Sequence, residues 1–162
     1  MKTCPYCGKE VQSYKGNYYC DFCTMVVYCK DVQEEGKRKN LMPNHLPDLE
    51  DVKKSTPELM TYSTIELLYM LKLARKERAT VYGNRYTFIQ ARKLTEDPHF
   101  QQGEQQMYQE YEYYTRKCFV LENLIRGRLG YYPQKLTDSY LQNLAERMEQ
   151  SAQKPMVIKN SS

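Results

Sequence analysis

Two short cysteine pairs, Cys4-Pro5-Tyr6-Cys7 and Cys20-Asp21-Phe22-Cys23, stand twelve residues apart near the start of the chain. No other feature constrains the fold as strongly. Two Cys separated by two residues can turn both sulfurs toward one point, and a second pair completes a tetrahedron of thiolates around Zn²⁺. Such a shell has no open position, so the spacing predicts one structural zinc per chain, held by Cys4, Cys7, Cys20 and Cys23. The competing readings are a disulfide pair and a redox motif. Zinc is preferred over both, because no secretory leader is expected and no βαβ pattern surrounds either pair.

Between and after the pairs the sequence reads as short strands. Val11 to Tyr14 has the pattern of one strand, Lys15-Gly16-Asn17 of a turn, and Tyr18-Tyr19 of the return strand. A third strand is expected at Met25 to Tyr28. Gly8 can take the positive φ of a metal knuckle. CPYCG, a hairpin, YYCDFC and a further strand together resemble the zinc-ribbon class over residues 1–30. That resemblance implies a small metal-held fold and, weakly, contact with nucleic acid or its machinery. Cys29, just behind the ribbon, is expected to face its small core, with alternative ligation or redox sensing as other roles. The rest of the chain carries no family resemblance.

The 162 residues can hold the ribbon plus one compact helical domain. The expected class is α+β, mainly α: a zinc ribbon over 1–30, a charged and Pro-containing linker over 31–54, a helical domain of three to four helices over 55–150, and a flexible tail over 151–162. Pro43 and Pro47 mark the linker as extended. Thr56-Pro57 reads as a helix start, and Ser63 with Glu66 has capping-box spacing ahead of the apolar run Ile65 to Ala74. Gly83 leaves open whether 63–94 is one helix or two. Asp97-Pro98 is expected to start a loop, with a second long helix from about Gln101 or Glu104 to Arg126. In it Met107, Tyr111, Tyr114, Cys118, Leu121 and Ile125 recur at intervals of four and three, the spacing of a helix–helix seam. Leu141, Leu144, Ala145 and Met148 predict a last amphipathic helix capped by Thr137 or Asp138.

Charge is uneven. The formal net charge is only +4, yet Lys72, Arg75, Lys76, Arg78, Arg85, Arg92 and Lys93 crowd one segment beside Tyr82 and Tyr86. These nine residues are the candidate nucleic-acid-binding set, the cations for phosphates and the rings for base stacking. Their competing reading is a solvated helix face. The sequence contains no Gly-rich phosphate loop, no GxSxG and no HExxH, so a non-enzymatic protein is expected. No apolar run reaches membrane-span length, and cytoplasmic residence is the default expectation. The functional expectation is a zinc-binding regulator of a nucleic-acid or transcription assembly, working through a protein partner and the basic helix. The alternative is an adaptor that docks through apolar and Tyr-rich helices without nucleic acid. Monomer and homodimer both stay open.

Overall fold

The computed structural model describes residues 1–159. The fold is α+β and mainly α, with short antiparallel strands at the N-terminus followed by helices. The chain divides into two compact units: Met1–Met42 together with the chain from Gln142 onward, and Pro43–Leu141.

In the first unit, strands β1 (Lys2–Thr3), β2 (Gln12–Tyr14), β3 (Asn17–Cys20), β4 (Met25–Val27) and β5 (Gln33–Glu34) form two antiparallel sheets, β2-β3-β4 and β1-β5. The β2–β3 turn has positive φ at both central residues, Lys15 and Gly16, with Tyr14 paired to Asn17. That is a two-residue turn whose twist matches the flanking strands, which sets the hairpin register. The buried cluster is tiny, consisting of Cys4, Val11, Cys20 and Val27. Pairing of β1 with β5 closes the unit, because Thr3 is fully buried and its hydroxyl accepts a bond from the Gly36 N–H at 3.1 Å. The sequence missed both outer strands, since two-residue strands have no readable period.

The second unit starts with two one-turn helices, α1 (Leu49–Val52) and α2 (Thr56–Leu59), which the linker and helix-start readings anticipated only in part. Each has a reciprocal capping box, Asp48 with Asp51 and Ser55 with Glu58, so Ser55 rather than Thr56 is the cap. Their C-terminal carbonyls are met by cations from a later helix. Lys117 donates to the Lys54 carbonyl at 2.5 Å, and Arg128 to that of Met60 at 3.0 Å. Burial lowers the pKa of Lys117.

Helix α3 (Thr64–Leu94) is continuous through Gly83, which settles the choice between one helix and two. A single Gly costs about 1 kcal/mol in a helix interior, and 31 residues packed along a neighbour carry it. Helix α4 (Pro98–Leu129) begins three residues before the expected start, because Asp97 is its N-cap and Pro98 sits in the first turn. The pair forms an antiparallel hairpin. Ile65, Leu67, Leu68, Met70, Leu71, Ala74 and Val81 are buried on α3, and Tyr114, Cys118, Leu121 and Ile125 on α4. Cys118 is thus a small core hydrophobe as the seam spacing implied, and burial raises its thiol pKa. Beyond Val81 and Tyr114, from 82 to 113, no residue is buried.

In that distal half the seam turns polar and aromatic. A Cβ at Gly103 would lie 2.5 Å from the Phe88 ring, so glycine is what lets the ring rest on the α4 backbone. One step along the seam, Glu104 is approached by Arg92 at 2.7 Å and by Arg85 at 3.8 Å, with its side chain only 15% exposed. Arg85 also lies over the Tyr108 ring at 5.1 Å, and Tyr82 meets Tyr111 at 5.7 Å.

Helix α5 (Asp138–Ala152) begins in the second unit, where Leu141 is buried, and continues in the first. The segment read as a flexible tail is therefore helical at 151–152. Further on, the Met156 N–H donates to the Gly36 carbonyl at 2.7 Å. Residues 160–162 of that reading lie outside the described residues.

Asp51 gives this region a pH dependence. Lys54 lies 2.8 Å from its carboxylate, the Asp48 N–H and the Tyr62 hydroxyl each donate to it at 2.9 Å, and its pKa falls to about 2, chiefly through Lys54. A folded pKa below the unfolded value of about 3.9 contributes stability that is complete above about pH 4 and lost as pH falls toward 2. Asp51→Asn should therefore cost about 1–2 kcal/mol at neutral pH after allowance for solvent screening. The difference from wild type should close near pH 2, which urea unfolding across that range would measure.

Candidate metal centre

The four sulfurs of Cys4, Cys7, Cys20 and Cys23 lie within 4.8 Å of one another. Cys4 Sγ is 3.9 Å from Cys23 Sγ, and Cys7 Sγ is 3.5 Å from Cys20 Sγ. A metal at about 2.3 Å from each of four tetrahedral sulfurs would set their separations at about 3.8 Å. Both measured distances fall close to that edge, whereas a disulfide needs about 2.05 Å. All six cysteines are free thiols. Cys4 and Cys20 are fully buried.

Backbone geometry explains how the pairs converge. The Gly8 N–H donates to the Cys4 carbonyl at 3.0 Å and the Cys4 N–H to the Lys9 carbonyl at 2.8 Å, closing a knuckle with Gly8 at φ +75°. In the second pair the Cys23 N–H donates to Cys20 Sγ at 3.4 Å. A surface ion pair, Lys9 with Asp21 at 2.8 Å, joins the two knuckles. Both partners are about half exposed, so this pair orients the knuckles more than it stabilises them.

The thiols do not titrate alike. Burial, reinforced by Cys7, Cys20 and Cys4, pushes Cys23 up to about 12, and burial also raises Cys7. Burial opposes ionisation of Cys20 as well, but the Cys23 N–H and the other sulfurs outweigh it and lower its pKa. Four thiolates this close repel one another, and a bound cation is the species that lets all four ionise together. The donor set therefore fits a single thiophilic metal ion with a closed shell.

Cys29 corrects a sequence expectation. It is exposed and lies outside the four-sulfur cluster, with Sγ donating to the Gly16 carbonyl at 2.9 Å. It follows β4 instead of sitting within it, so strand alternation does not carry its side chain into the core.

The candidate nucleic-acid set lies along α3, and the fold engages much of its charge. Lys72 pairs with Asp138, and Arg75 with Glu122 at 3.1 Å and with the carbonyls of Pro133 and Gln134. Arg85 and Arg92 share Glu104. Among the described residues Lys76, Arg78 and Lys93 have no ion pair, while Tyr82 and Tyr86 are exposed.

A feature beside the site that sequence reasoning missed is the C-terminal segment packed against the first cysteine knuckle. A Cβ on Gly8 would fall 2.7 Å from Met156 Cβ, and one on Gly36 would fall 2.9 Å from the Met156 carbonyl. Both glycines have positive φ. The only signal in the sequence was the apolar triplet Met156-Val157-Ile158 in an otherwise polar end. Comparison with protein-family models, curated proteins and solved structures finds no match.

Gly8→Ala should displace Met156 while the four cysteines keep their positions. Hydrogen exchange at the Met156 amide should then quicken with metal content unchanged. Unaltered exchange would show that the segment does not depend on this contact.

Proposed function

We propose that the chain is a non-enzymatic, zinc-binding regulatory adaptor in which the metal fixes a small ribbon as a recognition tip for a protein partner. The observation that carries this reading is the exposure of the knuckle aromatics. Tyr6 and Phe22, the residues preceding the second cysteine of each pair, are 70% and 72% exposed. The metal closes a loop behind each ring, so both are presented with little conformational freedom left to lose on binding. Beside Phe22 lies a cleft of 540 Å³, also lined by Cys7, Gly8, Met156, Val157 and Ile158. A rigid aromatic next to an apolar cleft suits a partner's apolar segment.

Zinc is favoured as the ion because four thiolates with no open position match its structural sites. A closed shell has no place for substrate, in keeping with a non-catalytic role. Purified protein in reducing buffer should carry one zinc per chain. Cys20→Ser should abolish stoichiometric binding and unfold the ribbon, because a cluster of four small buried residues cannot hold the unit unaided. Metal analysis well below one equivalent would reject the assignment.

The reading with direct nucleic-acid contact ranks second. Its support is the trio Lys76, Arg78 and Lys93 beside exposed Tyr82 and Tyr86. Against it, four of the seven cations in the candidate set are already paired with acids of the same chain. Affinity purification with wild type and with Tyr6→Ser/Phe22→Ser separates the two. Discrete proteins retained by wild type and lost by the metal-loaded double variant support the adaptor. Equal recovery by both proteins overturns it, as does strong salt-sensitive oligonucleotide binding by the chain alone.

A further inference from the structure

We infer, resting on the metal reading of the four-cysteine site, that the segment 154–158 is a strap beside Cys7 that sets how fast the bound metal is exchanged. Burial divides the four ligands. Cys4 and Cys20 are fully buried, whereas Cys7 and Cys23 are half-buried. A chelator or competing thiol takes a metal from a closed shell one ligand at a time, so it enters where a sulfur can be reached. Cys7 lines the cleft of 540 Å³ together with Gly8, Phe22, Met156, Val157 and Ile158. Among the described residues it is the only one of the four cysteines in that lining, so the strap forms a wall of the approach to this ligand.

Local chemistry puts the segment there. Pro155 cannot continue α5 and disfavours helix in Lys154, so the chain leaves the helix after Ala152. Two hydrogen bonds then fasten it. Arg38 Nε donates to the Lys154 carbonyl at 3.0 Å, and the Met156 N–H to the Gly36 carbonyl at 2.7 Å. Met156 sits where two side chains are missing: a Cβ on Gly8 would lie 2.7 Å from its Cβ, and one on Gly36 2.9 Å from its carbonyl oxygen. Gly8 directly follows Cys7, so the anchor of the strap rests on the knuckle that holds this ligand.

The strap is fastened lightly. Past Met156, Val157 is 60% and Ile158 91% exposed, so little apolar area holds the end down. No residue of the segment belongs to the buried cluster of Cys4, Val11, Cys20 and Val27, so the strap can lift while the sheets stay folded. Such an opening widens the approach to Cys7 and leaves Cys4 and Cys20 covered. Affinity and exchange rate are thereby set by different residues, the first by the four sulfurs and the second by the strap.

Transfer of the metal to an excess of a chromogenic pyridylazo chelator tests this on the full chain, on a chain ending at Gln153 and on the full-length variant Met156→Gly. All three should hold one equivalent of metal with unchanged helicity by circular dichroism. Both variants should release it about fivefold faster or more, the order expected when a cover held by two hydrogen bonds and one side chain is lost. Maleimide labelling with peptide mapping identifies the route. Exposed Cys29 should label equally in every chain, and among the four ligands Cys7 should be the one whose labelling both changes speed up. Equal release rates from chains that all hold one equivalent overturn the inference and leave the metal reading intact. Labelling of Cys23 ahead of Cys7 overturns it too, as does loss of metal or helicity in both variants, which would make the segment a structural part of the unit. A wild-type chain that takes up no metal overturns the strap and the metal reading together.

Discussion

Apolar burial is scarce in both units, and most of the structure is a response to that scarcity. The ribbon unit buries four apolar residues as its core, and two of these, Cys4 and Cys20, belong to the sulfur cluster. So small an apolar cluster cannot by itself offset the ordering of the unit's backbone. Covalent-strength metal ligation is the kind of interaction that can close such a gap. Cys23, pushed up to about 12 without a cation, shows the reverse side of that dependence.

The helical unit meets the same shortage differently. Its apolar core is dense from Ile65 to Ala74 and ends at Val81 on α3 and Tyr114 on α4. Past that level the hairpin is held by specific geometry: Phe88 on the bare backbone at Gly103, and Glu104 between two guanidinium groups. A half-buried carboxylate in a helix seam contributes less to stability than an apolar residue of its size. Its two guanidinium partners stand seven residues apart on α3 and bracket it from either side. Likewise Lys117 and Arg128 answer the carbonyls left open by α1 and α2, tying two helices too short to stand alone to a long one.

What could be read from the sequence follows the same division. The four-cysteine cluster was legible because two CxxC pairs impose a geometry on their own few residues, and the β2–β3 hairpin because its turn residues do so too. The α4 seam was legible because Tyr114, Cys118, Leu121 and Ile125 repeat with the helix. Features that depend on distant partners were not: β1 pairs with β5 across thirty residues, Met156 fills the space that Gly8 and Gly36 leave empty, and Asp97 caps a helix where Asp-Pro alone reads as a loop. Gly83 left one helix or two open, and the structure has one. Its cost is local and small, and packing along the length of α4 overrides it.

The basic segment shows how folding redistributes charge that a linear reading counts as free. Counted along the chain, residues 75–93 form a positive block and 96–114 a negative one, and the positive block alone suggests phosphates. The turn at 95–97 folds one block against the other, so that Arg85 and Arg92 converge on Glu104 and the field of the hairpin is largely cancelled a few ångströms from its surface. What survives is an alternation of sign across the hairpin's width, basic on α3 and acidic on α4.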